Sequence, residues 1–222
     1  HLDEDGHKVS VLFNRPVKLQ DGVDLKTKFT GEIDFNRDSV IYKRPRPISA
    51  AALQEYGRTV NTTFDHSLSQ NAAYTIQVGT LVDPITTLAA SFPDKVTPKI
   101  DNDAPAGIVS GKVIKGDNTP IAGVDVTIRQ YLPNDGSPDP QGVPQYDVSQ
   151  ANGAFLFEFV RREINTGWSG AYRLEGLSSV HGATTVEGSV RLPGQVSFVN
   201  LQYLGRGAAQ GAVRYNDGSV AA

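Results

Sequence analysis

Apolar and polar residues alternate along this chain in short runs of period two, separated by pairs of turn-forming residues. Period two is the strand pattern, because successive side chains of an extended backbone point to opposite faces. Residues Arg58 to Phe64 put Val60, Thr62 and Phe64 on one face, and Ala73 to Val78 do the same with Tyr74, Ile76 and Val78. His7 to Phe13 predicts a strand with Val9, Leu12 and Phe13 in the core, and Phe29 to Phe35 and Ser39 to Tyr42 predict two more. Asp5-Gly6, Asp21-Gly22, Asp135-Gly136, Asn152-Gly153 and Asp217-Gly218 are the turn pairs. A single stretch has helical character. Ile48-Ser49-Ala50-Ala51-Ala52-Leu53-Gln54-Glu55-Tyr56 follows Pro45 and Pro47 and stops at Gly57, so one or two helical turns are expected there.

Between Asp83 and Pro105 the alternation fades, and Pro84, Pro93, Pro98 and Pro105 accumulate. This stretch predicts a proline-rich linker and a domain boundary near Asp101-Asn102-Asp103-Ala104-Pro105. Alternation then resumes. Ile108 to Lys115, Val124 to Gln130 (Val124, Val126 and Ile128 inward), Ala154 to Val160 (Phe155, Phe157 and Phe159 inward), Ala171 to Leu177 and Thr184 to Leu192 read as strands. Gln195 to Leu204 closes the set, with Val196, Phe198, Leu201 and Tyr203 buried. Tyr131 to Tyr146 is dense in proline and glycine and reads as a long exposed loop. Many strands and no long helix predict an all-β protein made of two sandwiches in tandem.

A repeat adds to this picture. Gly107-Ile108-Val109-Ser110-Gly111-Lys112-Val113 is echoed 100 positions later by Gly207-Ala208-Ala209-Gln210-Gly211-Ala212-Val213. The expected organisation is therefore a first sandwich over 1–105, a second over 106–205, and the first strand of a third over 206–222. On that reading the chain is a piece of a longer array. The missing initial Met agrees with this.

Composition narrows the function. Of 222 residues, 39% are hydrophobic and 20% charged, which suits folded domains rather than disorder. The formal net charge is −3, so no field attracts nucleic acid or an anionic membrane. No apolar run approaches the roughly 18 residues that a spanning helix needs. Cysteine is absent, which removes disulfides and thiolate metal sites.

Residues 106–205 resemble the carboxypeptidase regulatory-like domain. The likeness lies in Gly107-x-x-x-Gly111-x-Val113, Pro120-Ile121-Ala122-Gly123-Val124-Asp125-Val126, Asn152-Gly153-Ala154-Phe155-Leu156-Phe157 and Gly170-Ala171-Tyr172-Arg173-Leu174. That resemblance implies a transthyretin-like β-sandwich. The chain departs from the pattern in its Tyr131–Tyr146 loop and its widened Arg161–Ser169 segment. The first half resembles bacterial Ig-like domains of S-layer and adhesin-type proteins, through Val9-Ser10-Val11-Leu12-Phe13-Asn14-Arg15-Pro16-Val17 and Asn71-Ala72-Ala73-Tyr74-Thr75-Ile76-Gln77-Val78. Together the resemblances imply non-catalytic modules of a bacterial surface or secreted protein and supply no catalytic residues.

Candidate chemistry is sparse. His1, His7, His66 and His181 are not paired at metal-ligand spacing, and Gly167-Trp168-Ser169-Gly170 is one residue short of a nucleophile elbow. No cofactor is expected, with calcium as the exception to test. Asp101, Asn102 and Asp103 at the interdomain linker are the candidate ligands, because calcium wants six to eight oxygens and this segment supplies several. Trp168, Tyr172 and Tyr131 are a candidate stacking platform for a glycan or other ligand. Lys112 and Asn200, on the first and last strands of the second domain, suggest an intramolecular isopeptide bond, although alternation turns Lys112 outward opposite Val113. Asn61-Thr62-Thr63 matches a glycosylation acceptor but lies on a strand.

The leading reading is a spacer, stalk or interaction segment of a bacterial cell-surface or secreted protein, adhesin-like or outer-membrane-associated. Its partners would be the neighbouring domains of the same polypeptide and a protein or glycan ligand. The alternatives are an accessory region of a large secreted enzyme or toxin and a glycan-binding module.

Overall fold

A computed structural model describes residues 6–13, 15–18, 23–54, 57–69, 72–85, 89–96, 105–131, 144–164 and 168–205. They form an all-β protein of two sandwiches. The first holds β1 (Lys8–Leu12), β2 (Phe29–Arg37), β3 (Val40–Arg46), β4 (Ile48–Leu53), β5 (Thr59–Phe64), β6 (Ala73–Val82) and β7 (Ala89–Val96). Its sheets are β1-β5-β4 and β3-β2-β6-β7, all antiparallel. Val9, Val60 and Phe64 from one sheet meet Phe29, Ile33, Phe35, Tyr74 and Ile76 from the other.

The second sandwich holds β8 (Ala106–Lys115), β9 (Asp125–Gln130), β10 (Gln145–Val148), β11 (Ala154–Arg161), β12 (Glu163–Ile164), β13 (Trp168–Ser169), β14 (Ala171–Ser178), β15 (Gly182–Ser189), β16 (Val196–Phe198) and β17 (Leu201–Tyr203). One sheet runs β10-β9-β14-β15. The other runs β11-β8-β16, with β17 also on β8, and β12-β13 form a small hairpin. The last strands lie parallel to the first, Val196 opposite Ile108 and Leu201 opposite Val113. The glycines of the repeated motif make room for this. A Cβ on Gly111 would stand 1.7 Å from the Val199 carbonyl oxygen, and one on Gly107 would stand 2.4 Å from that of Gln195. Only bare backbone lets the closing segment lie so close to β8.

Several local expectations change. Phe198, expected buried, is 37% exposed, and a register shift between Phe157 and Val160 takes Phe159 out of the buried row and puts Val160 in it. Ile48 to Leu53 is a strand, not helical turns. The register Ala51↔Thr62 and Leu53↔Val60 satisfies its backbone, and that pairing outweighs the slight helical preference of three alanines. The helical element among the described residues is instead a 3-10 turn at Leu25–Lys28, capped by Asp24. Leu12, expected in the core, is 75% exposed, because β1 buries the opposite parity through Val9. Part of the proline-rich stretch is β7, which pairs with β6, and Pro45 sits inside β3 opposite Glu32. β3 and β7 are the two edges of one sheet, where a missing N–H breaks no ladder. The Asp101–Asp103 segment and residues 206–222, with the repeated motif's second copy, lie outside the described residues.

Candidate functional site: an ionic seam between the sandwiches

β3 carries Val40, Tyr42, Arg44 and Arg46 at one parity, and this row faces the second sandwich. Across from it, the hairpin from β10 to β11 brings Asp147 and Glu158. Arg44 Nη1 donates to Asp147 Oδ1 at 2.5 Å, and its Nη2 to the carbonyl of Val148. The Tyr42 hydroxyl donates to the same Asp147 oxygen at 3.2 Å. Arg46 is paired with Glu158 through Nε and Nη2. The Tyr74 hydroxyl donates to Glu158 Oε2 at 2.8 Å while accepting from the Ser69 amide at 2.7 Å. Tyr42 stands between the two guanidinium groups, 5.4 Å from Arg44 and 5.8 Å from Arg46.

These groups are buried, except Arg44, whose side chain is 34% exposed. Arg46, Glu158 and Asp147 are exposed by only 7%, 5% and 7%. Burial pushes the Tyr42 hydroxyl up to about 12, helped by the charge of Asp147. Tyr74 is raised well above its ordinary value, also chiefly by burial. Both phenols therefore stay protonated and donate. Burial also raises Asp147, against the amides of Leu156 and Val148 and the Arg44 and Tyr42 donors that stabilise its charge. Burial opposes the charge on Arg46, but Glu158 more than offsets it and holds the guanidinium above its usual range. Each domain supplies one sign: arginines from the first, carboxylates from the second. Separating them would strand buried charges, which is far costlier than parting an exposed pair.

Apolar packing continues the seam. Ile108, Ala154 and Leu156, on the outer face of the β11-β8-β16 sheet, belong to the first sandwich's core. Phe198 lies 6.3 Å from Phe35, ring to ring. The free edge of β3 is capped from the β10–β11 turn: Gln150 Nε2 donates to the Lys43 carbonyl at 3.0 Å and Asn152 Nδ2 to that of Ile41 at 2.7 Å. Side-chain amides thus cover an edge that would otherwise be open to pairing with another strand.

The residues singled out from sequence lie elsewhere. Tyr172 and Tyr131 fall on opposite faces of one sheet. Tyr172 is 3% exposed within the second core. Tyr131 is half-buried, with the Arg173 guanidinium 5.2 Å over its ring. Trp168 is on β13, paired with Ile164. Asn200 Oδ1 accepts from the backbone N–H of Lys112, at 3.1 Å. Among the described residues, no group of three or more His, Cys, Asp or Glu is placed to hold a metal ion, and no helix is long and apolar enough to cross a membrane.

The seam residues were missed, yet three carried a signal. Glu158 interrupts a run apolar on both parities, and a buried acid demands a buried partner. Arg44 and Arg46 continue the parity of Val40 and Tyr42, but the flanking prolines made them look like a connection.

No family model matches the chain, and no curated protein matches it. Among solved structures it is similar to the N-terminal part of the bacterial S-layer protein SbsC (14% identity, TM-score 0.35, 84% of this chain and 42% of that one). It is also similar to a streptococcal ancillary pilin (12%, 0.34, 79% and 61%) and to BcpA, the major pilin subunit of Bacillus cereus (12%, 0.33, 91% and 61%). The chain thus spans less than two thirds of each of these three. The description of the fold rests on the chain's own strand order and not on these likenesses.

Proposed function

We propose that this chain is a rigid two-sandwich structural module, serving as a spacer or interaction segment in a bacterial cell-surface or secreted protein. The observation that carries the reading is the ionic seam. Two domains joined only by a flexible linker need no buried Arg46–Glu158 pair and no shared core. Here both are present, so the two sandwiches move as one body. The bacterial surface setting is supported by the absence of cysteine and by the resemblance of the first half to Ig-like surface domains. The partners on this reading are the neighbouring modules of the same polypeptide. Calcium at Asp101, Asn102 and Asp103 would add a brace at the linker; a melting temperature unchanged between chelator and added calcium would remove that brace from the account.

Small-angle scattering tests the rigidity. The wild-type chain should fit a single fixed arrangement of the two sandwiches. The Asp147→Ala, Glu158→Ala double variant should need an ensemble of arrangements. A wild-type profile that already demands a broad ensemble would sink the reading.

A further inference from the structure

Beside the seam the two sandwiches leave an open cleft of about 810 Å³, a size that commonly holds small ligands. His7 and the bend at residues 65–67 line it, and so do the start of β10 and the end of β11. His7 and Ser67 are both half-buried there.

Ser67 Oγ lies 2.9 Å from His7 Nε2, although the two residues are 60 positions apart. His7 Nδ1 lies 3.1 Å from the Phe64 carbonyl oxygen. A carbonyl only accepts, so in the neutral ring Nδ1 carries the proton and Nε2 accepts from the Ser67 hydroxyl. Nucleophile, base and a third group that orients the base follow one another in this order in activated serines. Here a carbonyl takes the third place. It fixes the tautomer and the ring, as a carboxylate does elsewhere, without adding a charge.

Backbone bonds bracket the pair. The Phe64 N–H donates to the His7 carbonyl at 2.8 Å, and the Leu68 N–H donates to the Gly6 carbonyl at 2.7 Å. Gly6 makes the second approach possible, since its φ is +73° and a Cβ on it would stand 2.7 Å from the Leu68 carbonyl oxygen. The same Cβ would stand 3.2 Å from the Phe159 ring, so the second sandwich brings an apolar group to the residue before His7. The backbone N–H groups of His66 and Ser67 have no hydrogen-bond partner among the described residues. Free amides, one of them the serine's own, are the donor type that a forming oxyanion needs.

We propose that Ser67 is an activated nucleophile with His7 as its general base, and that the cleft hydrolyses a short, neutral carboxylic ester. Ser67 Oγ attacks the ester carbonyl carbon while His7 Nε2 takes the hydroxyl proton. The carbon–oxygen bond to the alcohol then breaks, and the alcohol leaves with that proton. Water repeats the sequence on the acyl-serine, giving a carboxylic acid and restoring Ser67. The lining sets the substrate class. Arg44 and Arg46 are neutralised by Asp147 and Glu158, and the other two charged residues of the lining, Arg161 and Asp65, are of opposite sign. A balanced cleft has no field to collect an anionic substrate, and a lining so rich in polar side chains does not suit a long acyl chain. This activity does not depend on the spacer reading, which scattering tests by itself.

The experiment is covalent labelling of the whole chain with an alkyl fluorophosphonate, which transfers its phosphonyl group to an activated serine and releases fluoride. Intact mass and peptide mapping read the adduct. Folded wild type should carry one adduct, on Ser67, formed at least about 100-fold faster than in the same chain unfolded in urea. Ser67→Ala should abolish it. His7→Gln keeps a donor for the Phe64 carbonyl but loses the base, and should slow labelling about 100-fold. The p-nitrophenyl esters of acetate, propionate and butyrate test turnover, and at least one should be hydrolysed by wild type and not by Ser67→Ala. The wild-type result decides by itself, whether or not a variant folds. No adduct on Ser67, an adduct formed as fast in His7→Gln, or labelling without turnover of any of the three esters would each overturn the proposal.

Discussion

The two cores of this molecule are built on different terms. The second is self-contained: every buried residue in it comes from between Val109 and Tyr203. The first is not, because Ile108, Ala154 and Leu156 of the second sandwich complete it, with Val196 packed alongside. The same asymmetry shows on single strands. β11 is buried on both faces, Phe155 and Phe157 toward its own core, Ala154 and Leu156 toward the other. β15, at the far edge of the same domain, has no fully buried position. The lesson is that dependence between the domains runs one way.

Cutting the chain should break the comparison most severely. Residues 105–205 alone should fold, since their core is intact. Residues 6–96 alone should lose most of their stability. They forfeit three apolar partners, each worth about 1.5–3 kcal/mol for the larger side chains, against a total stability of roughly 5–15 kcal/mol. Circular dichroism and urea unfolding of both pieces measure this. A first piece that unfolds at the same urea concentration as in the whole chain would refute the asymmetry.

Next in size is the seam. Glu158→Ala leaves Arg46 buried without its partner and should cost about 3–5 kcal/mol. Replacing both, as Arg46→Met with Glu158→Leu, should recover most of that loss. The urea midpoints of the two single variants and the double variant form a cycle that isolates the pair. If Glu158→Ala costs no more than an exposed pair would, the seam is not dry.

What could be read in advance followed the same asymmetry. The second sandwich was legible nearly strand by strand, because its inward rows are apolar and its turns carry Asn152-Gly153 and its relatives. Gly107 and Gly111 stood out as a motif, although the close approach of residues 195–199 that requires them is a tertiary fact. In the first sandwich, alternation located β1, β2, β5, β6 and the start of β3, but missed the edge strands β4 and β7 and the second half of β3. Pro45 and Pro93 read as interruptions, and nothing local says that an edge tolerates them. The seam was the least legible part. Asp147 looks like a surface residue until Arg44, more than a hundred positions away, is brought against it, and the signals at Glu158 and Arg46 do not say that each is the other's partner.

A smaller effect concerns pH. Burial raises the carboxyl of Asp147 in the folded state, so between its ordinary value of 3.8 and the raised one the native chain binds more protons than the unfolded chain. Stability from this group is therefore full below its unfolded value and falls as pH rises, with a slope of at most about 1.4 kcal/mol per pH unit. That is opposite to the usual carboxylate. The difference in unfolding free energy between wild type and Asp147→Asn, measured from acid to neutral pH, should shrink in favour of the variant as pH rises. A difference that moves the other way would mean the Arg44 and Tyr42 contacts outweigh desolvation.

The smallest effect gives the sharpest test of the one-way dependence. Ser110 is on β8 at the parity of Ile108, opposite Leu156 on β11, so it faces the first sandwich. It is fully buried, and its hydroxyl has no hydrogen-bond partner among the described residues. Burying a hydroxyl without a partner costs about 1–3 kcal/mol. Ser110→Ala removes that cost and opens only a small void, so the whole chain should gain about 1 kcal/mol. In the isolated 105–205 piece the first sandwich is gone and the hydroxyl meets water, so the same substitution should be nearly neutral. Urea unfolding of the two backgrounds separates these outcomes. An equal gain in both would mean that Ser110 is buried by its own domain, and that the second sandwich's outer face is less committed to its neighbour than the shared core implies.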